Sequence, residues 1–174
     1  LASCLASTLF WLGTTTIFQS TALATNDAAF DAQWGLSLTN ISEVWTISTG
    51  VGITVAVIDS GSGPNPDLTQ NLIAGRSIIR GRISDSVTDV DTVGHGTHVA
   101  GIIAAQSNNS IGVTGIAPDA KILPIRILDS RGDGSESDLA QAIRFAVDSG
   151  ANIINLSLGG KTQSSALQLA LEFA

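Results

Sequence analysis

The chain has a single cysteine, Cys4, in 174 residues. A lone cysteine has no internal partner, so no disulfide framework holds the fold, and cysteine usage leaves the compartment open. Cations are also scarce: eight Lys and Arg stand against fifteen Asp and Glu, for a formal charge of -7. Phosphate binding needs clustered Lys and Arg, and the eight are scattered along the sequence, which argues against nucleic acid and against an anionic membrane surface. No long hydrophobic run is present. The most apolar stretch, LASCLASTLFWLG at 1–13, is short of the roughly 20 residues that span a bilayer, so no stable membrane insertion is expected. Only two histidines occur, and both lie in GHGTHVAGIIAA at 94–105.

What is present describes a folded domain. Hydrophobic residues make up 44% and charged ones 13%, which is the balance of a packed core and not of disorder. The length suits one domain. The N-terminal apolar stretch is followed by TTTIFQSTALA, ending in small residues at Ala22 and Ala24. That pattern resembles a secretory h-region with an A-x-A-like cleavage site, although no initiating Met or basic segment precedes it. Residues 1–24 are therefore read as the remnant of a secretory signal. Residues 25–174 are read as the folded part, with a secreted or extracellular location, including the cell envelope.

Three runs rich in Val and Ile, VGITVAVID (51–59), AKILPIRIL (120–128) and ANIINLSL (151–158), lack alternation and predict strands covered on both faces. Pro124 cannot donate to a ladder, so the second strand is expected to begin after it, at IRIL. Between the runs lie helical patterns: one from His95 through HVAGIIAA, another in SDLAQAIRFAVDSG, opened by Ser135 with Asp138 three residues on and stopped by Gly150. Strand and helix in alternation imply right-handed crossovers and a parallel sheet with helices on its faces. The last segment, KTQSSALQLALEFA, is amphipathic with no stop signal, so the domain is expected to continue past residue 174.

The chemistry gathers in the loops. Asp59 closes the first strand, and the carboxyl ends of parallel strands are where sites form. GSG at 61–63 begins like a dinucleotide fingerprint, but Pro64 and Pro66 follow and the third glycine is missing, so that reading fails. His95 and His98 at i and i+3 could share a metal, yet a zinc hydrolase wants a third ligand and a Glu base, and Gly96 and Thr97 supply neither. The more economical reading puts His95 at the helix start, oriented by Asp59 as a general base, and turns His98 into the packing. Gly94 and Gly96 leave room around His95 for backbone or substrate.

VAVIDSG, GHGTHVAG and NLSLGG, in that order, resemble the subtilisin-like serine peptidases, the subtilases, over roughly residues 26–174. The resemblance implies a three-layer α/β/α fold around a mainly parallel sheet, truncated at the C-terminus, and a serine endopeptidase acting on polypeptides, monomeric when complete. It implies Asp59 and His95 as two members of a triad whose nucleophile comes last in chain order. No GTSMA-like or AAGN-like segment occurs in these 174 residues, so the serine and the oxyanion-hole asparagine are expected beyond residue 174. Ser157, Leu158 and Gly159 are implied as substrate-binding, as are Gly132 and Gly134 in RGDGSE, where backbone must approach the backbone of an extended peptide. Asp133 and Glu136 in that loop would favour a basic side chain before the cut bond. The loop SNNSIGV resembles the family's calcium loop, with Asn109 by its side chain, Ile111 and Val113 by their carbonyls, and Asp67 and Asp27 as further ligands. The rival reading is a catalytically inactive fragment that at most binds peptides.

Overall fold

A computed structural model of the chain describes residues 25–85, 91–160 and 164–174. The segment 1–24, on which the export reading falls, lies outside the described residues. The apolar run ending at Asp59 folds as β1 (Thr54–Asp59), buried throughout after Thr54. Burial on both faces is why Val, Ile and Ala follow one another there without alternation. Strand β4 (Lys121–Arg126) pairs with β1 in parallel, from Thr54↔Lys121 to Asp59↔Arg126. On the other flank β5 (Ile153–Asn155) pairs in parallel through Val55↔Ile153. The third predicted strand is thus three residues long, and Leu156–Gly160 leave the sheet as a loop.

A second pair of strands, β2 (Arg76–Ile79) and β3 (Arg82–Ser84), forms an antiparallel hairpin that joins β4 through Arg76↔Ile125. Among the described residues the order is β3-β2-β4-β1-β5, a mainly parallel sheet with one antiparallel edge. The hairpin turn is Arg80-Gly81, both at positive φ (53° and 72°), the conformation a two-residue turn needs to match strand twist. Gly81 adopts it freely, whereas Arg80 does not. Buried Asp138 compensates: its carboxylate accepts the Arg80 and Gly81 amides at 2.8 and 2.9 Å.

Pro124 corrects the expectation for β4, because it sits inside the strand opposite Val57. Successive amides of a strand point to opposite neighbours: Lys121 donates to Ile53 on the β1 side and Ile122 to Asn71 on the β2 side. Pro124 therefore turns its missing N–H toward β2. It falls between the bridge Leu72↔Ile122 and the first β2 pair at Ile125, where no ladder bond is lost.

Helix α1 (Trp34–Leu38) and helix α2 (Ile41–Val44) precede the sheet, and buried Trp45 ties them down by donating Nε1–H to the Ile116 carbonyl at 2.9 Å. Three longer helices make the outer layers: α3 (His95–Ala104), α4 (Glu136–Asp148) and α5 (Ser165–Phe173). Ala100 and Ala104 of α3 pack on Val55, Val57 and Ile122. On the opposite face Ile143 and Ala146 of α4 and Ala170 of α5 pack on Ala56, Ile58, Leu123 and Ile125. The alternation of β1 thus divides between two cores, and the architecture is α/β/α. Helix α4 opens as expected, with the Ser135 hydroxyl accepting the Asp138 amide at 3.1 Å, a cap worth about 1 kcal/mol.

Candidate active site

Strand β1 and helix α3 meet at the carboxyl end of the sheet. Asp59 is fully buried, and His95 Nδ1 lies 2.8 and 2.9 Å from its two carboxylate oxygens. The Ser60 amide donates to the same carboxylate at 2.7 Å. A charged carboxylate only accepts, so Nδ1 must carry the ring proton, which leaves Nε2 with the lone pair. The His95 side chain is 47% exposed, and Nε2 has no hydrogen-bond partner among the described residues. An imidazole fixed by one nitrogen and open at the other is built to take a proton at Nε2.

The position of His95 depends on how α3 begins. Gly94, at φ 86°, turns the chain into the helix without a capping side chain of its own. Asp91 does the capping instead. One oxygen accepts the Gly94 amide at 2.7 Å, and the other accepts the Thr97 amide and hydroxyl at 2.8 and 2.6 Å. Burial alone would raise the Asp91 pKa, but the Thr97, Gly94 and Ser60 hydrogen bonds together hold it below its ordinary value. A negative charge at a helix N-terminus is favourable there as well. Gly96 donates to the Ser60 hydroxyl at 2.9 Å, and the Gly63 amide donates to Thr97 Oγ1 at 2.8 Å. Through these bonds the turn after Asp59 and the start of α3 hold each other. Sequence reading missed Asp91 and Thr97; the available signal was Asp six residues ahead of a threonine in the first turn, a weak one.

Two expectations near the histidines change. Gly96 makes room for backbone and not for a substrate, since a Cβ there would overlap the Gly61 carbonyl. His98 is exposed and not packed. Gly96, Ala100 and Ala104 recur every four residues and face the sheet, so position 98 points outward with half-exposed Ile102.

His95 stands at one end of a cleft of about 750 Å³ that is also lined by Gly132, Asp133, Gly134, Glu136 and Leu156–Gly160. All five residues implied as substrate-binding, Gly132, Gly134, Ser157, Leu158 and Gly159, are on its walls. Gly132 sits in a turn at φ 81°, donating to the Asp129 carbonyl at 3.0 Å. Gly134 has no space for a side chain, because a Cβ would come within 2.9 Å of Leu128 Cδ2 and 3.1 Å of the Ile127 carbonyl. Among the described residues the amides of Gly134, Ser157, Leu158 and Gly159 meet no acceptor.

The residues implied for calcium converge on one loop, on the α3 side of the sheet. Asp67 is buried; its oxygens accept Asn109 Nδ2 at 2.7 Å and the Val113 amide at 2.8 Å. The Ile111 amide donates to Asn109 Oδ1 at 2.9 Å. Asp27, also buried, accepts the amides of Asn108 and Asn109 at 3.1 and 3.0 Å and the Thr114 hydroxyl. Among the described residues no three His, Cys, Asp or Glu side chains gather into a metal cluster, so a cation here would depend on amide and main-chain oxygens.

The fold and site together define a class: an α/β/α domain that carries an Asp–His pair at the carboxyl end of a parallel sheet, beside an extended cleft. The family model of the subtilases matches residues 50–172. Thermitase of Thermoactinomyces vulgaris is 40% identical over 151 residues, covering 86% of this chain and 53% of thermitase. Subtilisin Savinase of Lederbergia lenta is 44% identical over 126 residues, covering 72% and 44%. Among solved structures, a protease of Pseudoalteromonas arctica superposes with a TM-score of 0.78 at 35% identity, covering 85% of this chain and 55% of that one. The chain belongs to the subtilase family. It spans about half the length of thermitase, and less of Savinase.

Proposed function

We propose that the complete protein is a subtilisin-type serine endopeptidase that hydrolyses polypeptides by acyl transfer. The observation that carries this reading is the Asp59–His95 pair, with Nε2 facing a cleft whose walls offer amides that are unpaired among the described residues. An extended peptide would lie between Gly132–Gly134 and Ser157–Gly159, taking hydrogen bonds from the amides of Gly134, Ser157, Leu158 and Gly159 as an added strand does. A serine supplied beyond residue 174 attacks the scissile carbonyl, His95 Nε2 takes its proton and passes it to the leaving amine, and Asp59 stabilises the imidazolium. Asp133 and Glu136 on the cleft wall would favour a basic side chain ahead of the cut bond. A secreted monomer is part of the same proposal. The test is labelling by a fluorophosphonate, which reacts with an activated serine. The complete protein should be labelled on one serine outside residues 1–174, and the 174-residue chain should not be labelled. His95-dependent labelling of Ser60, Ser135 or Ser157 in the short chain would overturn the assignment of the nucleophile. Absence of labelling in the complete protein would favour the inactive, peptide-binding reading.

Calcium is proposed as a structural ion of the loop 108–113. The donor chemistry fits a hard cation: the Asp67 carboxylate, the Asn109 amide and the main-chain carbonyls of Ile111 and Val113. Asn109 Nδ2 faces Asp67, and the amide can present its oxygen there instead. Asp27 would complete the charge from behind the loop. Such an ion would pin the loop to the α3 side of the sheet and would take no part in the reaction. At a thousandfold excess over Kd it would contribute about 4 kcal/mol. Chelation with EDTA is expected to lower Tm by about 8–16 °C, with recovery in calcium and not in magnesium, and Asp67→Asn should abolish the difference. A Tm indifferent to EDTA would remove calcium from the proposal.

A further inference from the structure

Four of the eight cations scattered along the sequence meet in the fold. Arg80, Arg82, Arg126 and Arg131 line one cleft of about 860 Å³ at the hairpin edge, with Asp129 as the acid on its wall. Half of the chain's Lys and Arg thus meet on a protein of net negative charge.

The register explains the convergence. Pairs Ile79↔Arg82, Ser77↔Ser84 and Ser77↔Arg126 put Arg82 and Arg126 on one face of the sheet, with Arg80 in the adjoining turn. Residues 129–131 form the facing wall. Internal acids offset part of this charge, two carboxylates against four arginines. Asp129 takes Arg80 Nη2 at 3.1 Å and Arg131 Nη2 at 3.4 Å, while Asp133 lies 3.5 Å from Arg131 Nε. Arg126 Nε donates to a carbonyl, that of Leu128 at 3.2 Å. The Arg82 side chain has no partner among the described residues, and the side chains of Arg80 and Arg131 are about 70% exposed (72% and 69%). Asp138 lies behind the hairpin turn, with both oxygens on backbone amides.

The cleft also adjoins the one beside His95. A small cavity lined by Arg80 and Asp129 on one side and by Ile127, Asp133 and Gly134 on the other shares walls with both. The turn that carries Gly132 and Gly134 separates them.

We infer that this arginine cleft is an exosite for a short anionic stretch of polypeptide, rich in Glu, Asp or phosphoserine, lying beyond the part of the same peptide held next to His95. Planar guanidinium groups pair with carboxylates and phosphates in bidentate fashion, which a flexible ammonium does not match. A long polyanion such as nucleic acid would extend past the cleft over a protein of net charge -7, so a short segment fits better. The inference rests on the peptide-binding reading of the cleft beside His95.

The test is fluorescence anisotropy on the complete protein with three labelled hexapeptides: six glutamates, six glutamines, and a third with phosphoserine at alternate positions. The glutamate and phosphoserine peptides should bind and weaken as NaCl rises from 50 to 300 mM, and the glutamine peptide should not bind. Arg82→Gln/Arg131→Gln should weaken binding at least tenfold, whereas Arg144→Gln, on the other face, should stay within twofold. Arginine Nε–Hε resonances of the unmodified protein supply a readout free of substitution, with Arg82 and Arg131 expected to shift on titration. Equal binding of the glutamate and glutamine peptides, or shifts confined to Arg144, would overturn the exosite. The complete protein separates the two readings. Given a neutral peptide extended by six glutamates or six glutamines, it should cut both, with at least a tenfold lower KM for the first. Cleavage of neither would remove the peptidase reading, and cleavage of both at equal KM would remove the exosite alone.

Discussion

His95→Ala in the complete protein is expected to lower kcat on a short neutral peptide by about 10⁴- to 10⁶-fold, with KM changed only a few-fold. The size follows from what Nε2 does: without it no group takes the nucleophile's proton or returns it to the leaving amine, while the cleft walls that bind the peptide stay in place. Asp59→Asn tests the same geometry from the other end. Asn keeps the shape but can offer an N–H to Nδ1, and a donor facing Nδ1 forces the proton onto Nε2, the nitrogen that must accept one. A loss of about 10⁴-fold in kcat is therefore expected there too. Both variants should melt cooperatively, which separates lost chemistry from lost fold. Unchanged turnover in either one would refute the assignment.

Asp59 and His95 were legible because each sits where chain pattern and chemistry coincide. One ends an unbroken apolar strand, and the other opens a helix rich in small residues. The helix cap at Ser135 was legible for the same reason, since its partner Asp138 is three residues away. The hairpin Arg76–Ser84 was not. Its strands are four and three residues long and carry arginines, and its turn uses Arg at positive φ, which only the distant carboxylate of Asp138 makes tolerable. The arginine cleft was hidden with it, because cations at 80, 82, 126 and 131 become neighbours only through strand register. His98 was misread for a different reason: small neighbours in a helix signal close packing on one face, and they do not say which face a given residue occupies. Pro124 shows the limit of a local rule, since the missing donor mattered less than the direction in which it pointed.

Gly96→Ala sets two such rules against each other. In a helix interior Ala is favoured over Gly by about 1 kcal/mol, so propensity alone predicts stabilisation. The surroundings predict the reverse. A Cβ at position 96 would overlap the Gly61 carbonyl oxygen, 3.1 Å from the Gly61 nitrogen and 3.2 Å from Asp59 Cβ. The obstruction is backbone in a turn anchored by the Ser60 and Gly63 bonds to α3, so no side chain can swing aside. Either α3 lifts from the sheet or the turn after Asp59 shifts, and overpacking of this kind costs about 1–3 kcal/mol. Tm of the complete protein is expected to fall by about 2–12 °C. Because Gly96 follows His95 directly, the same displacement lengthens the Nδ1 contact to Asp59, so kcat should fall in step. Gly101→Ala is the matched control, in the same helix and buried, but with nothing within 4 Å of its Cβ position. It should leave stability unchanged or raise it by up to about 1 kcal/mol. If calorimetry found both substitutions stabilising, the close contact between α3 and the Asp59 turn would not be what positions His95.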